Sequence, residues 1–121
     1  MSGTTTLELP RAAGATRIAR LIMTAHCAQL SSERCKSANL MVSELVSNAC
    51  RHGSGRIELT VQSGAEGVHA SVHDEGAGTI AVPVPRPARG GWGLFLVDRL
   101  ADGWGVEQGA SRVWFRVAAA A

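Results

Sequence analysis

Two short segments of this chain alternate strictly, and a five-residue link joins them. Ile57, Leu59 and Val61 share one side of the first segment, and Val68, Ala70 and Val72 share one side of the second. An extended chain sends successive side chains to opposite faces, so each segment reads as a strand with one apolar and one polar face. The link Ser63-Gly64-Ala65-Glu66-Gly67 is built of turn residues and closes the pair as an antiparallel hairpin. An isolated hairpin is marginal in water, so its apolar face demands a cover. That demand constrains the rest of the chain more than any other feature.

The cover is written in the flanking sequence. Residues 12–30 carry Ile18, Leu21, Ile22, Ala25 and Cys27 at near-helical spacing and predict a first helix. Ser31-Ser32-Glu33 predicts the start of a second helix that runs to about His52, where Gly53-Ser54-Gly55 breaks it. On this helix Val42, Leu45, Val46 and Ala49 form a core stripe. A third helix is expected over 93–101, with Leu94, Leu96, Val97 and Leu100. Strands are expected at 4–9, with Leu7 and Leu9 on one face, at 112–117, where Val113, Phe115 and Val117 alternate with Trp114 and Arg116, and near 104–108. Residues 79–91 hold Pro83, Pro85, Pro87, Gly90 and Gly91, which excludes regular helix or central strand. The closing alanines read as a frayed end. This order predicts one α+β domain over 1–121, a two-layer sandwich with helices on one face of a mostly antiparallel mixed sheet.

Composition narrows the function classes. With 121 residues there is room for one core, and 45% apolar against 18% charged residues excludes wholesale disorder. The formal net charge is +2 and Lys36 is the only lysine, too little to argue for nucleic acid or a membrane surface by charge. No stretch approaches the ~18 apolar residues of a membrane helix, and no signal peptide pattern opens the chain. Cys27, Cys35 and Cys50 are odd in number and form no CxxC pair, so neither a disulfide framework nor a zinc site is expected. Each reads as a small core residue in a reducing cytoplasm.

Three segments carry the chemistry. Glu44 and Asn48 stand one turn apart on the second helix, beside its core stripe, where a carboxylate and an amide oxygen suit Mg²⁺ and the carboxylate could serve as a general base. Asp74-Glu75-Gly76-Ala77-Gly78 follows a strand directly, an acceptor for an exocyclic amine such as adenine N6 beside backbone that lets a flat base approach. Gly90-Gly91-Trp92-Gly93-Leu94 leads into a helix, whose first N–H groups and positive dipole end suit phosphate. Singly, each has a plainer reading: a solvated helix face, an Asp/Gly turn, a loop feeding a helix. Together they match the three parts of Mg-ATP.

The same residues resemble the motifs of the GHKL ATP-binding superfamily, the Bergerat fold of gyrase, Hsp90, histidine kinases and MutL. Glu44, Asn48, His52 and Gly53 match its ExxxNAxxHG box, Asp74, Gly76 and Gly78 its DxGxG box, and Gly91, Gly93, Leu94 and Leu96 its GxGLxL box. Within it the chain is similar to the single-domain anti-sigma factor serine kinases, also over Ala101-Asp102-Gly103-Trp104-Gly105 and Val113-Trp114-Phe115. The resemblance implies Asn48 as the Mg²⁺ ligand, Glu44 as general base, Asp74 on adenine, and Gly76 and Gly78 lining the base pocket. It implies backbone contacts to phosphate at Gly91, Gly93 and Leu94, a hydroxyl contact from Ser111, a structural motif histidine in His52, and a lid over 79–91 with Arg86 or Arg89 as phosphate partners. It further implies a protein serine/threonine kinase whose partners are ATP, a STAS-type anti-sigma factor antagonist and a sigma factor, and it allows a homodimer. In the family the exposed face of the first helix meets the sigma factor, which makes Arg17 and Arg20 candidates. The alternative is an ATP-binding module without kinase activity; a gyrase-type ATPase and a sensor histidine kinase are disfavoured because the sequence shows no transducer or phosphoacceptor domain.

Overall fold

The computed structural model describes residues 3–76, 92–107 and 111–119. The elements follow as β1 (Gly3–Leu9), α1 (Ala15–Ala25), a 3-10 turn (Cys27–Gln29), α2 (Ser32–His52), β2 (Ile57–Gly64), β3 (Gly67–Asp74), α3 (Trp92–Leu100), β4 (Gly103–Glu107) and β5 (Arg112–Ala118). The five strands form one sheet in the order β1-β2-β3-β5-β4, every described neighbour pair antiparallel. The α+β architecture with an antiparallel sheet is therefore as the sequence predicts. The expected lid over 79–91 lies outside the described residues.

The hairpin turns more tightly than its five-residue link suggests. Gly64 pairs with Gly67 across the ladder, leaving Ala65 and Glu66 as the turn. Gly67 sits at φ +131°, a region that a side chain rarely adopts, so the tight reversal depends on glycine at that position. On the covered face Ile57, Leu59, Val61, Val68, Ala70, Phe115 and Val117 are all but fully buried.

Helix α2 is the main cover. Ser31 caps it, its Oγ accepting from the Arg34 N–H at 3.1 Å, and Arg51 and His52 sit in the last turn, favourable for the helix dipole. Ala38, Met41, Val42, Leu45, Val46 and Ala49 repeat at three- and four-residue steps and are buried, which contains the predicted stripe. Each fully buried Val or Met here contributes about 1.5–3 kcal/mol of transfer free energy.

Helix α1 is shorter than predicted, and its buried face is different. Ala15, Ala19 and Met23 are buried, Ile18 and Ile22 are half-buried against the core, and Leu21 is 64% exposed. Small residues allow close helix packing, and here two alanines rather than the branched residues hold the fully buried positions. The helix stops at His26, whose ring bonds the sheet on both sides: Nε2 with Thr5 Oγ1 at 2.8 Å and Nδ1 with Ser63 Oγ at 2.6 Å. The following 3-10 turn brings Cys27 against Cys35, and the two form a disulfide. This corrects the expectation that the chain holds no disulfide; a pair eight residues apart across a turn has no signature in the cysteine count. Cys50 is free. Leu9 is buried as expected, while Leu7, on the same face, is 41% exposed because β1 is the sheet edge.

The other sheet face is polar, with Glu58, Gln62 and Arg116 exposed. On it His69 stacks on Trp114 with ring centroids 5.3 Å apart. Burial, followed by the nearby Arg116 charge, pushes the His69 pKa below its ordinary 6.5. No helix among the described residues is long and apolar enough to cross a membrane.

Candidate functional site

Strand β3 ends at Asp74, which is buried to 7% exposure beside the C-terminus of α2. A buried carboxylate needs donors. Its Oδ1 accepts from the Gly76 N–H at 2.6 Å and from Ser111 Oγ at 2.9 Å, and the Asp74 N–H bonds the Ser111 carbonyl at 3.2 Å. Ser111 is itself buried and held at φ 47°, in the left-handed region, so its hydroxyl is locked against the carboxylate. The second oxygen, Oδ2, faces the Cα of Gly53: a Cβ there would overlap Oδ2 and lie 2.7 Å from Asp74 Cγ and 2.8 Å from the Ala49 carbonyl. Among the described residues no donor engages Oδ2.

The loop after α2 forms the wall of this corner. The Glu75 N–H bonds the Ser54 carbonyl at 2.8 Å, and Glu75 Oε1 accepts from the Arg56 N–H at 2.7 Å. Gly76 lies so close to Asp74, Ser111 and Ser54 that a Cβ there would sit 2.8 Å from Asp74 Oδ1 and 3.5 Å from both hydroxyls. Sequence reasoning names Asp74, Gly76 and Ser111, and the structure brings these three together. It sets the motif glycine Gly53 and Glu75 beside them and adds Ser54, plus Arg11, whose guanidinium reaches the Ala49, Cys50 and Gly55 carbonyls. The Gly-Ser-Gly break after α2 hints at Gly53 and Ser54; Arg11 stands 38 to 44 residues from its partners and leaves no local signal.

Asn48 is half-buried in the last two turns of α2, with Oδ1 accepting from Arg51 Nη2 at 3.0 Å. A carboxamide oxygen carries two lone pairs, so one remains for a cation. Glu44, one turn earlier, is half-buried and borders a groove between α1 and α2 lined also by Arg17, Arg20, Leu21, Lys36 and Leu40. The described contacts do not link Glu44 with Asp74. Two hard oxygens a turn apart fit Mg²⁺, which takes few protein ligands and completes its shell with water and phosphate. No cluster of three His, Cys, Asp or Glu occurs among the described residues, which leaves a dedicated all-protein metal cage without support there.

His52 closes α2 and is exposed. Gly93 and Leu94 lie in the first turn of α3, which packs on α2, and the Leu94 side chain is in the core. Gly78 and Gly91 lie outside the described residues. The ends of α2 and β3 therefore meet at Asp74, and α3 packs on α2.

The chain belongs to the histidine kinase-like ATPase domain family, whose model matches residues 9–117. Among solved structures it is similar in fold to the structure of the RsbU and RsbW domains of Rv1364c from Mycobacterium tuberculosis, with TM-score 0.67 and 22% identity over 97% of this chain. It spans 31% of that chain. A search of the curated proteins finds no match.

Proposed function

We propose that residues 1–121 form one Mg-ATP-binding domain acting as an anti-sigma regulatory factor, a protein serine/threonine kinase for a STAS-type anti-sigma factor antagonist. The observation that carries the reading is Asp74, whose Oδ1 is saturated by Gly76 and Ser111 while Oδ2 faces the Gly53 corner. A carboxylate so held presents one acceptor in one direction, as recognition of the adenine amine requires. The family match and the RsbW-containing neighbour support the same reading.

In this reading Asp74 takes the adenine N6 proton donor, Gly76 and Gly78 line the base, and Ser111 adds a hydroxyl. The backbone of Gly91, Gly93 and Leu94 at the start of α3 receives the phosphates, and residues 79–91 cover them. Asn48 is the protein ligand of Mg²⁺, which when bound neutralises phosphate charge, and His52 supports the end of the motif. Glu44 accepts the proton of the substrate hydroxyl as that oxygen bonds to the γ-phosphorus and the bond to the β–γ bridging oxygen breaks, releasing ADP. The groove between α1 and α2, with Arg17, Arg20 and Lys36 around Leu21 and Leu40, is the surface offered to the protein partners, the antagonist and a sigma factor. The proposed setting is cytoplasmic, where the Cys27–Cys35 bridge is exposed to a reducing pool, and the family resemblance allows a homodimer.

A second reading, an ATP-occupied module without transfer, draws on Arg51 holding Asn48 Oδ1. The two separate with γ-labelled ATP and a cognate antagonist. The kinase reading expects label on the antagonist, lost in Glu44→Ala with ATP binding retained. Tight ATP binding with neither phosphoprotein nor ADP formed overturns it in favour of the module.

A further inference from the structure

One guanidinium ties the wall of the Asp74 corner to the rest of the molecule. Arg11, on the link between β1 and α1, donates from Nη1 to the Ala49 carbonyl at 2.8 Å and the Cys50 carbonyl at 2.9 Å, and from Nε to the Gly55 carbonyl at 3.1 Å. Both bonds lie at the end of α2: the Cys50 carbonyl belongs to the last turn, the Ala49 carbonyl also accepts from the Gly53 N–H at 3.0 Å, and together they place a cation at the negative dipole end. The third bond does something else. It fixes Gly55, held at φ +68°, relative to the helix end. Between the two anchored points lie Gly53, which abuts Asp74 Oδ2, and Ser54, whose carbonyl receives the Glu75 N–H. A rigid planar group therefore sets both ends of the stretch that walls the carboxylate.

We infer that Arg11 is a positioning residue for base recognition: it sets the distance of the 53–55 loop from Asp74 and so the shape of the slot that a purine enters. The inference rests on the reading that the Asp74 corner holds adenine. Lysine separates this role from capping alone. Its ammonium is a point donor that can serve the α2 carbonyls, but it has no second, fixed N–H aimed at Gly55.

The test uses the full chain with Arg11→Lys, Arg11→Ala and Asp74→Asn, reading thermal melting without ligand and affinity for ATP and for GTP. Arg11→Lys is expected to melt close to wild type, to bind ATP about tenfold more weakly and to leave GTP affinity unchanged, so that the preference for adenine narrows. Arg11→Ala is expected to lose the same preference and melting temperature as well. Wild-type ATP affinity in Arg11→Lys overturns the inference, as does an equal loss for both nucleotides or a lowered melting point with the preference intact. Asp74→Asn reports on the site separately. If it abolishes the preference while Arg11→Lys keeps it, only the role of Arg11 falls; if it leaves ATP binding untouched, the adenine reading itself falls.

Discussion

Gly53 is where backbone space and carboxylate chemistry meet. Any Cβ at that position runs into the Asp74 side chain and the Ala49 carbonyl, neither of which can move freely, because Asp74 is pinned by two donors and Ala49 is part of a capped helix end. Gly53→Ala is therefore expected to lose about 1–3 kcal/mol of stability in denaturant unfolding, the usual cost of overpacking a rigid site. Gly14→Ala, where a Cβ meets no atom within 4 Å, is the control and should cost no such penalty. His69 offers a second test at this scale. Burial and Arg116 disfavour its charged form, so the unfolded chain binds the proton first as pH falls. Its contribution to stability is complete above pH 6.5, the unfolded value, and drains away as pH drops through the lower folded value. His69→Gln should flatten the acid side of a stability–pH curve below about 6.5 relative to wild type; an unchanged slope would remove His69 as a source of that dependence.

Elements were legible in proportion to how local their causes are. The α2 stripe, its Ser31 cap and its glycine stop are all set within a few residues, and the helix stands where the periodicity puts it. The hairpin is likewise local: two alternating runs and a glycine turn. Helix α1 was misread because periodicity weights large apolar residues. The buried positions go to Ala15, Ala19 and Met23, and the helix end is decided by His26 bonding to strand residues 21 and 37 positions away. The same reach explains the candidate site. Asp74, Gly76 and Ser111 were found by motif and resemblance, whereas Arg11 joins the site only once β1 and α2 are folded together. The Cys27–Cys35 bridge also belongs to this scale, for it ties the 3-10 turn to the first turn of α2. Closing a loop of that size restricts the unfolded chain by roughly 2.5 kcal/mol in the chain-entropy account. Thermal melting with and without dithiothreitol should show a lower midpoint in the reduced protein, and Cys27→Ser should melt at the reduced midpoint in both buffers. A midpoint indifferent to reductant would mean that the bridge adds nothing to the fold.

At the scale of the whole molecule, a single antiparallel sheet covered by helices brings the end of α2 against the end of β3 and packs α3 on α2. The C-terminal turns of α2 carry Asn48, β3 ends at Asp74, and α3, which packs on α2, has Gly93 and Leu94 in its first turn. Their sequence distance is wide, and the structure joins the end of α2 to the end of β3 through Gly53 and Asp74 and packs α3 on α2. The proposed division of labour follows from that geometry: the strand end reads the base, the long helix holds the cation, and the start of α3 receives the phosphates. Calorimetric titration of ATP, with and without Mg²⁺, into wild type, Asp74→Asn and Asn48→Ala tests the division directly. In Asp74→Asn an amide N–H replaces an acceptor facing the adenine amine, so affinity should fall about tenfold or more in both buffers. In Asn48→Ala the Mg²⁺-free affinity should hold while the gain from Mg²⁺ disappears. Wild-type binding of Mg-ATP by both variants would contradict the account.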